Sequence, residues 1–371
     1  MYKVLSFLLY LIFFSSFVVY SFSGGDGTAL DPYEVSNCDE LQNISQIANL
    51  DDYYVLTQDI DCSGISNFQP IGSCSGSCFS SGNDFTGNFN GSGHIISNLK
   101  IENLTSTDQG WGLFGFIRTN VEIYNFQIIN ISVNVPNAVN VGSVLGLGLG
   151  FSNSILSEIN ILSGNISGNE RVGGLSGSTP EFVNNTFFKG IVSGNNLIGG
   201  LAGYVGYGSI TNSYSIANVS GLTSVGGLVG EIYGSEIINS YSIANVSGLT
   251  SVGGLVGSED DSFDFNNTYW NNDTNNPGFS LGSGSITGSI AIQNNYSYFL
   301  DPTREPMASW DPTIWNLTPG QLPYLQSTEN PFQSSITSTS LQAQSSSSST
   351  FPTYGILSFS FLIILLGYFF I

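Results

Sequence analysis

The sequence predicts an all-β fold, a parallel β-helix (solenoid) of ~27–31-residue coils with N- and C-terminal caps. Three observations predict it. The seventeen residues Tyr-Ser-Ile-Ala-Asn-Val-Ser-Gly-Leu-Thr-Ser-Val-Gly-Gly-Leu-Val-Gly run from Tyr214 to Gly230 and recur at Tyr241 to Gly257, 27 positions on. Weaker copies of its Gly-Leu-x-Gly core extend upstream. Short Val, Ile, Tyr and Leu runs split by Gly, Ser and Asn read as strands broken by turns, and no window has helical periodicity. One such unit cannot bury its own apolar face. Stacked units can, each strand pairing with its counterpart about 4.8 Å away in the next coil.

Residues 1–23 read as a secretory signal: Lys3 supplies the positive start, Val4 to Tyr20 is mostly apolar, and small residues at Ser21 and Ser23 mark an expected cut before Gly24. A retained anchor helix is the alternative. Residues 24–109 are expected to form a disulfide-bearing N-terminal cap and the first coils. Their Cys38, Cys62, Cys74 and Cys78 make an even set, which in an exported chain points to two disulfides. Of three connectivities, Cys38–Cys62 with Cys74–Cys78 is favoured, because the second pair closes a tight Ser/Gly-rich loop. Zinc at Cys74-x3-Cys78 is the rival, but it needs the reduced thiols that an oxidising compartment disfavours.

Residues 110–261 hold the coils. Their anchors are Gly110–Gly115, Val141–Gly146, Val172–Gly177, Ile198–Gly203, Val225–Gly230 and Val252–Gly257, with starts spaced by 31, 31, 26, 27 and 27. Asn185, Asn212 and Asn239 recur at 27-residue steps, as do Phe187, Tyr214 and Tyr241, predicting an Asn ladder and an aromatic stack. The residue seven before each anchor is Asn103, Asn134, Asn165, Ile191, Asn218 and Asn245, which suggests a further column.

Residues 262–326 are expected to form an aromatic-rich C-terminal cap, since exposed solenoid ends invite edge pairing. A Ser/Thr-rich stalk (327–355) and a hydrophobic tail (356–371) follow. Sixteen helical residues span about 24 Å, short of a hydrocarbon core of about 30 Å. Small residues, a polar spacer and an apolar tail without basic flanks fit glycosylphosphatidylinositol (GPI) attachment, at Ser346 or Ser347; a single-span anchor is the alternative. Asn-x-Ser/Thr sequons start at Asn43, Asn90, Asn103, Asn130, Asn165, Asn184, Asn218, Asn245, Asn266, Asn272, Asn295 and Asn316. Adjacent coils would crowd glycans on Asn218 and Asn245, so incomplete occupancy is expected there.

The anchors resemble the GLUG motif, named after that core and found in large secreted or surface-attached proteins, bacterial adhesins among them. Phe85 to Ile101 resembles the segment that commonly precedes such repeats. Tyr269-Trp270, Trp310-Asp311, Trp315 and Pro323-Tyr324-Leu325 resemble the region that closes them. The resemblance covers roughly Pro32 to Leu325. It implies an architecture and no chemistry, because the motif is a structural unit without assigned catalytic residues.

With 27 acidic residues against six basic ones, the chain repels nucleic acid, which is therefore not expected as a partner. His94 is the only histidine, which excludes His-x-x-x-His metal chemistry and gives His94 a structural role. No cofactor is expected. Asp260, Asp261 and Asp264, in the acidic turn after the last anchor, are weak Ca²⁺ candidates and could also supply a hydrolytic acid and base; the plain alternative is a solvated turn. Together these features predict a non-enzymatic cell-surface β-helix glycoprotein on the outer face of the plasma membrane. Its partner would be an extracellular glycan or protein ligand, and it would be held to the membrane by the C-terminal anchor. A polysaccharide-acting β-helix enzyme and a structural coat protein are the alternatives.

Overall fold

The computed structural model describes residues 22–45, 50–73, 83–149, 152–261, 264–272, 281–283 and 292–327. The proposed leader up to residue 21, Cys74, Cys78, the stalk from 328, Ser346, Ser347 and the hydrophobic tail lie outside the described residues.

The chain winds as a parallel β-solenoid, and each repeating coil passes through three ladders. One contains Gln109–Trp111, Val139–Val141, Glu170–Gly173, Asn196–Gly199, Thr223–Gly226 and Thr250–Gly253. A second contains Phe114–Phe116, Leu145–Leu147, Ser176–Ser178, Ala202–Gly206, Val229–Tyr233, Val256–Glu259 and Leu281–Ser283. In the third, larger sheet a coil contributes two strands around a corner, as in Ser209–Thr211 with Tyr214–Ser220 and Glu236–Ile238 with Tyr241–Ser247. The duplicated stretches pair residue for residue from Tyr214↔Tyr241 to Ser220↔Ser247 and from Thr223↔Thr250 to Gly226↔Gly253. Identical sequence thus produces unslipped register.

Two turns make the coil close. At the corner of the large sheet, Asn185, Asn212, Asn239 and Asn267 all take left-handed backbone, with φ from 47° to 52°. Asn tolerates that region better than most L-residues. Their amides form a ladder, Asn239 Nδ2 donating to Asn212 Oδ1 at 3.3 Å, but Asn212 donates to Asn184 rather than to Asn185. The other turn is the Gly-Gly of the anchor. A Cβ on Gly226 would sit on the Val229 carbonyl oxygen, and one on Gly227 on that of Gly254, so only glycine lets the backbones approach there.

Val172, Ile198 and Val225, with Leu175, Leu201, Leu228 and Leu255, fill the interior. One interior column runs Phe188, Ser215, Ser242, Trp270. The large rings need glycine opposite them: a Cβ on Gly174 would strike Phe188, and one on Gly254 would strike Trp270. Between them Ser215 Oγ donates to the Gly227 carbonyl at 2.5 Å.

Phe187, Tyr214, Tyr241 and Tyr269 lie outside this column as a continuous stack, with ring centroids 4.7–4.8 Å apart and planes within 8°. They are nonetheless fully buried. The segment 296–325 folds back along the flank: Phe299 stacks on Tyr269 at 3.8 Å, Trp315 lies 5.8 Å from Tyr214, and Tyr241 Oη donates to the Pro323 carbonyl. Within that segment Trp315–Asn316 and Tyr324–Leu325 form an antiparallel pair. The aromatic residues expected to close the solenoid thus cover its side across three coils.

At the N-terminal end, Tyr33–Val35 pairs with Tyr53–Leu56, and that strand pairs with Asn88–Asn90. A short helix, Cys38–Asn43, begins where Asn37 accepts a hydrogen bond from the Glu40 amide at 2.9 Å. A Cys38–Cys62 disulfide, Cα–Cα 5.2 Å, ties this helix to the residue after strand Ile60–Asp61. Closing a loop of this size contributes about 3 kcal/mol in the chain-entropy picture.

Two expected registers are corrected. The Asn column runs Lys100, Ser132, Asn165, Ile191, Asn218, Asn245, so Asn103 and Asn134 do not belong to it. Asn134 pairs with Glu102 and Ser167. The turn closed by the Ala138 amide on the Val135 carbonyl includes Pro136 and Asn137, which lengthen that connection by two residues. The first anchor is also offset: Trp111, not Gly110, pairs with Val141, while Phe114 pairs with Leu145. The Gly-Gly corner of that coil is one residue shorter.

Candidate functional site

Sugar-binding aromatic residues must be reachable, and the stack does not qualify. Tyr214, Tyr241, Tyr269, Trp310 and Trp315 are all buried beneath or within the flank segment. Among the described residues Tyr204, Tyr207 and Tyr233 keep exposed surface close to one another, while Tyr53 and Tyr124 do so elsewhere on the large sheet. The first three stand on and just beyond the second ladder, in the coils Ala202–Gly206 and Val229–Tyr233.

Local backbone explains how they fit. Tyr207 occupies a left-handed position (φ 55°), and the next coil answers it with Gly234 at φ 54°. A Cβ on Gly234 would lie 3.1 Å from Tyr207 Cδ1, so the glycine leaves room for the ring. Tyr207 then meets Tyr233 edge to face, centroids 4.7 Å apart at 79°. Tyr204 pairs in register with Glu231, and Glu231 with Ser258. The Arg171 guanidinium lies 4.9 Å over the Tyr204 ring, a cation–π contact.

Charged groups surround these rings. Ser258 Oγ donates to Glu231 Oε2 at 3.1 Å and lies 2.8 Å from Ser224 Oγ. Burial pushes the Glu231 carboxyl above its ordinary range, and Asp260 adds to the rise; the Ser258 hydrogen bond and Arg171 oppose it. A hydrogen bond to Tyr207 pushes Tyr233 up to about 12, helped by the charges of Tyr207, Asp261 and Asp260. Burial raises Tyr204, with Arg171 pulling the other way and Glu231, Tyr207 and Asp260 adding to the rise. These mutual influences make one patch of Arg171, Tyr204, Tyr207, Glu231, Tyr233, Asp260 and Asp261. Its phenol hydroxyls can both donate and accept hydrogen bonds. Flat rings beside carboxylates, a hydroxyl and a guanidinium suit the stacking and hydrogen bonding of a polyhydroxylated ligand.

The residues singled out in the sequence fall variously. Asp260 and Asp261 join this patch at its edge, and Asp264 opens the next strand, Asp264–Asn266. As a calcium set they do not converge: among the described residues no group of three or more His, Cys, Asp or Glu side chains could hold a metal ion. Asp261 has φ 138°, and the Asp264 amide donates to the Ser235 carbonyl. His94 lies 3.3 Å from Asp59 Oδ1, away from this patch in sequence and coil. Among the sequons, Asn130, Asn165, Asn218, Asn245, Asn266, Asn272 and Asn295 are exposed, and Asn43, Asn90, Asn103, Asn184 and Asn316 are half-buried. Asn245 Nδ2 donates to Asn218 Oδ1 at 2.8 Å, beside an open groove of about 480 Å³ lined by Ile191, Ile216 and Ile243.

Sequence reasoning missed Arg171, Tyr204, Tyr207, Glu231 and Tyr233. A usable signal was present, since each departs from the residue at the same register in the next coil: Arg171 is in register with Leu197, and Glu231 pairs with Ser258.

The GLUG motif profile matches residues 194–220 and 221–247. The chain carries GLUG motifs. Each matched unit is one whole coil, beginning after a strand of the large sheet (Phe187–Ser193 or Tyr214–Ser220) and running to the end of its successor. Halomucin of Haloquadratum walsbyi is 29% identical over 161 residues, 42% of this chain and 2% of halomucin. A Gly-rich membrane protein candidate of Evansella cellulosilytica is 31% identical over 145 residues, 37% of this chain and 16% of that protein. The GLUG chain therefore spans a small part of the length of these curated relatives. The crystal structure of an immunoglobulin A1 protease candidate from Bacteroides ovatus superposes with a TM-score of 0.63 at 22% identity, covering 83% of this chain and 96% of that one. At that identity the likeness concerns the fold.

Proposed function

We propose that this GLUG protein is a cell-surface β-helix protein that binds an extracellular glycan through its tyrosine–carboxylate face without turning it over. The observation that carries the proposal is the Tyr207–Tyr233 pair, seated by Gly234 and bordered by Tyr204, Glu231 and Arg171. It supplies reachable ring faces and hydrogen-bonding groups on a rigid ladder, whereas the longer aromatic stack is covered. Display at the surface is supported by relatives named as halomucin and as a Gly-rich membrane protein. Export by a leader, tethering through a GPI group at Ser346 or Ser347 or through a single span, and glycosylation at exposed sequons complete the proposal. The test is a glycan array probed with the protein and with Tyr207→Ala. Binding that falls at least tenfold in the variant supports the site; equal binding contradicts it.

A second possibility, a polysaccharide-acting enzyme, draws support from Glu231. A carboxyl raised by burial beside a more exposed Asp260 is the pattern of a general acid with a second carboxylate. Incubating every bound glycan with the protein and with Glu231→Gln separates the two. Turnover abolished by the substitution favours the enzyme, and intact glycan throughout favours binding alone.

A further inference from the structure

The sequence places a leader cut before Gly24, yet the two residues ahead of that bond are built into the fold. The Phe22 ring stacks on Tyr33 with centroids 4.7 Å apart, meets Tyr54 edge-on at 5.5 Å, and packs against the core. Ser23 is held at three points. Its amide donates to the Glu34 carbonyl at 3.1 Å, its Oγ donates to Glu40 Oε1 at 2.8 Å, and that Oγ lies 2.7 Å from Ser36 Oγ. Gly24 continues the contact as an antiparallel bridge, its carbonyl accepting from the Glu34 amide at 2.9 Å. Glu34 belongs to Tyr33–Val35, which pairs with Tyr53–Leu56 on one side. Residues 22–24 lie along its other side and satisfy backbone groups that an open solenoid edge would leave for another chain. A cut before Gly24 would remove the ring, the Ser23 amide bond and both hydroxyl contacts, and would reopen part of that edge.

We propose that the processing site of this chain is the Ser21–Phe22 bond, so that the mature protein begins at Phe22. The inference rests on the secretory reading above. Ser21 supplies the small residue just before the cut, with Val19 two positions ahead of it, where the later bond has Ser23 and Ser21. Water is the co-reactant: the Ser21 carbonyl carbon takes the water oxygen and leaves as a carboxylate, the C–N bond breaks, and Phe22 becomes the α-ammonium terminus.

The experiment is intact-mass and N-terminal peptide analysis of the full chain after export from a secreting host. A first residue of Phe22 is expected. A first residue of Gly24 overturns the proposal while leaving secretion intact, and a chain still starting at Met1 overturns the secretory reading and the proposal with it. Thermal unfolding of otherwise full chains begun at Phe22 and at Gly24 provides a second measurement. The midpoint is expected to be several degrees higher for the Phe22 start; coincident midpoints would show that residues 22 and 23 are dispensable and would count against the proposal.

Discussion

Glu231 shows how one residue links the fold to its candidate chemistry. Its carboxyl is raised in the folded chain chiefly by burial. The folded state therefore binds that proton more tightly than the unfolded state does. The resulting stabilisation is present below the ordinary carboxylate range and is lost as pH rises through the raised value. Glu231→Gln keeps an acceptor for Ser258 and removes the charge. It should unfold at a higher temperature than the natural protein at pH 7, and the advantage should vanish once the pH falls below the ordinary glutamate range. Melting curves across that range check this, and an advantage independent of pH would contradict the assignment. Gly234→Ala should cost about 1–2 kcal/mol, because alanine is strained in left-handed backbone and crowds Tyr207. Chemical denaturation measures that cost. Neither residue was legible as functional in the sequence. Glu231 and Tyr204 lie 27 positions apart, and only the coil register makes them neighbours.

Among the elements, the buried aromatic stack and the segment covering it are the main additions to what the sequence announces. Phe187, Tyr214 and Tyr241 were legible as a column because their steps match the repeat, and Tyr269 extends it. That a later segment would lie over them was not legible, because Trp310 and Trp315 belong to no repeat and carry no register. Trp315→Ala should cost about 3–5 kcal/mol as a buried aromatic truncation. It should also open residues 296–325 to protease before the coils unfold. Limited proteolysis that cuts within the coils first would contradict this separation. The anchors were legible for a different reason: the tight turn favours Gly-Gly, with Ser143 at the second position in one coil, so the pattern recurs even where the strands between anchors diverge. Where a turn changed length, at Pro136-Asn137 and at the first anchor, identity counting lost the register by one or two residues. Hydrogen bonding between coils restores it.

The whole chain is strongly acidic, carrying a formal net charge of −21. Such self-repulsion weakens as salt shortens the Debye length from about 30 Å at 0.01 M to about 3 Å at 1 M. The thermal midpoint should therefore rise with added NaCl, and a midpoint that falls with salt would point instead to stability carried by ion pairs. The solenoid itself was legible along the repeats, since a seventeen-residue identity recurring 27 positions on leaves few folds open. The working surface was not, because near-identical coils make function depend on the few positions where they differ. The most direct measurement is quantitative binding of the natural protein and of Tyr207→Ala/Tyr233→Ala to an immobilised glycan panel, with folding checked by the midpoint of each. Saturable binding to at least one glycan, lost in the folded double variant, is the predicted result. Undiminished binding by that variant, or no glycan bound by either protein, would contradict the proposed function.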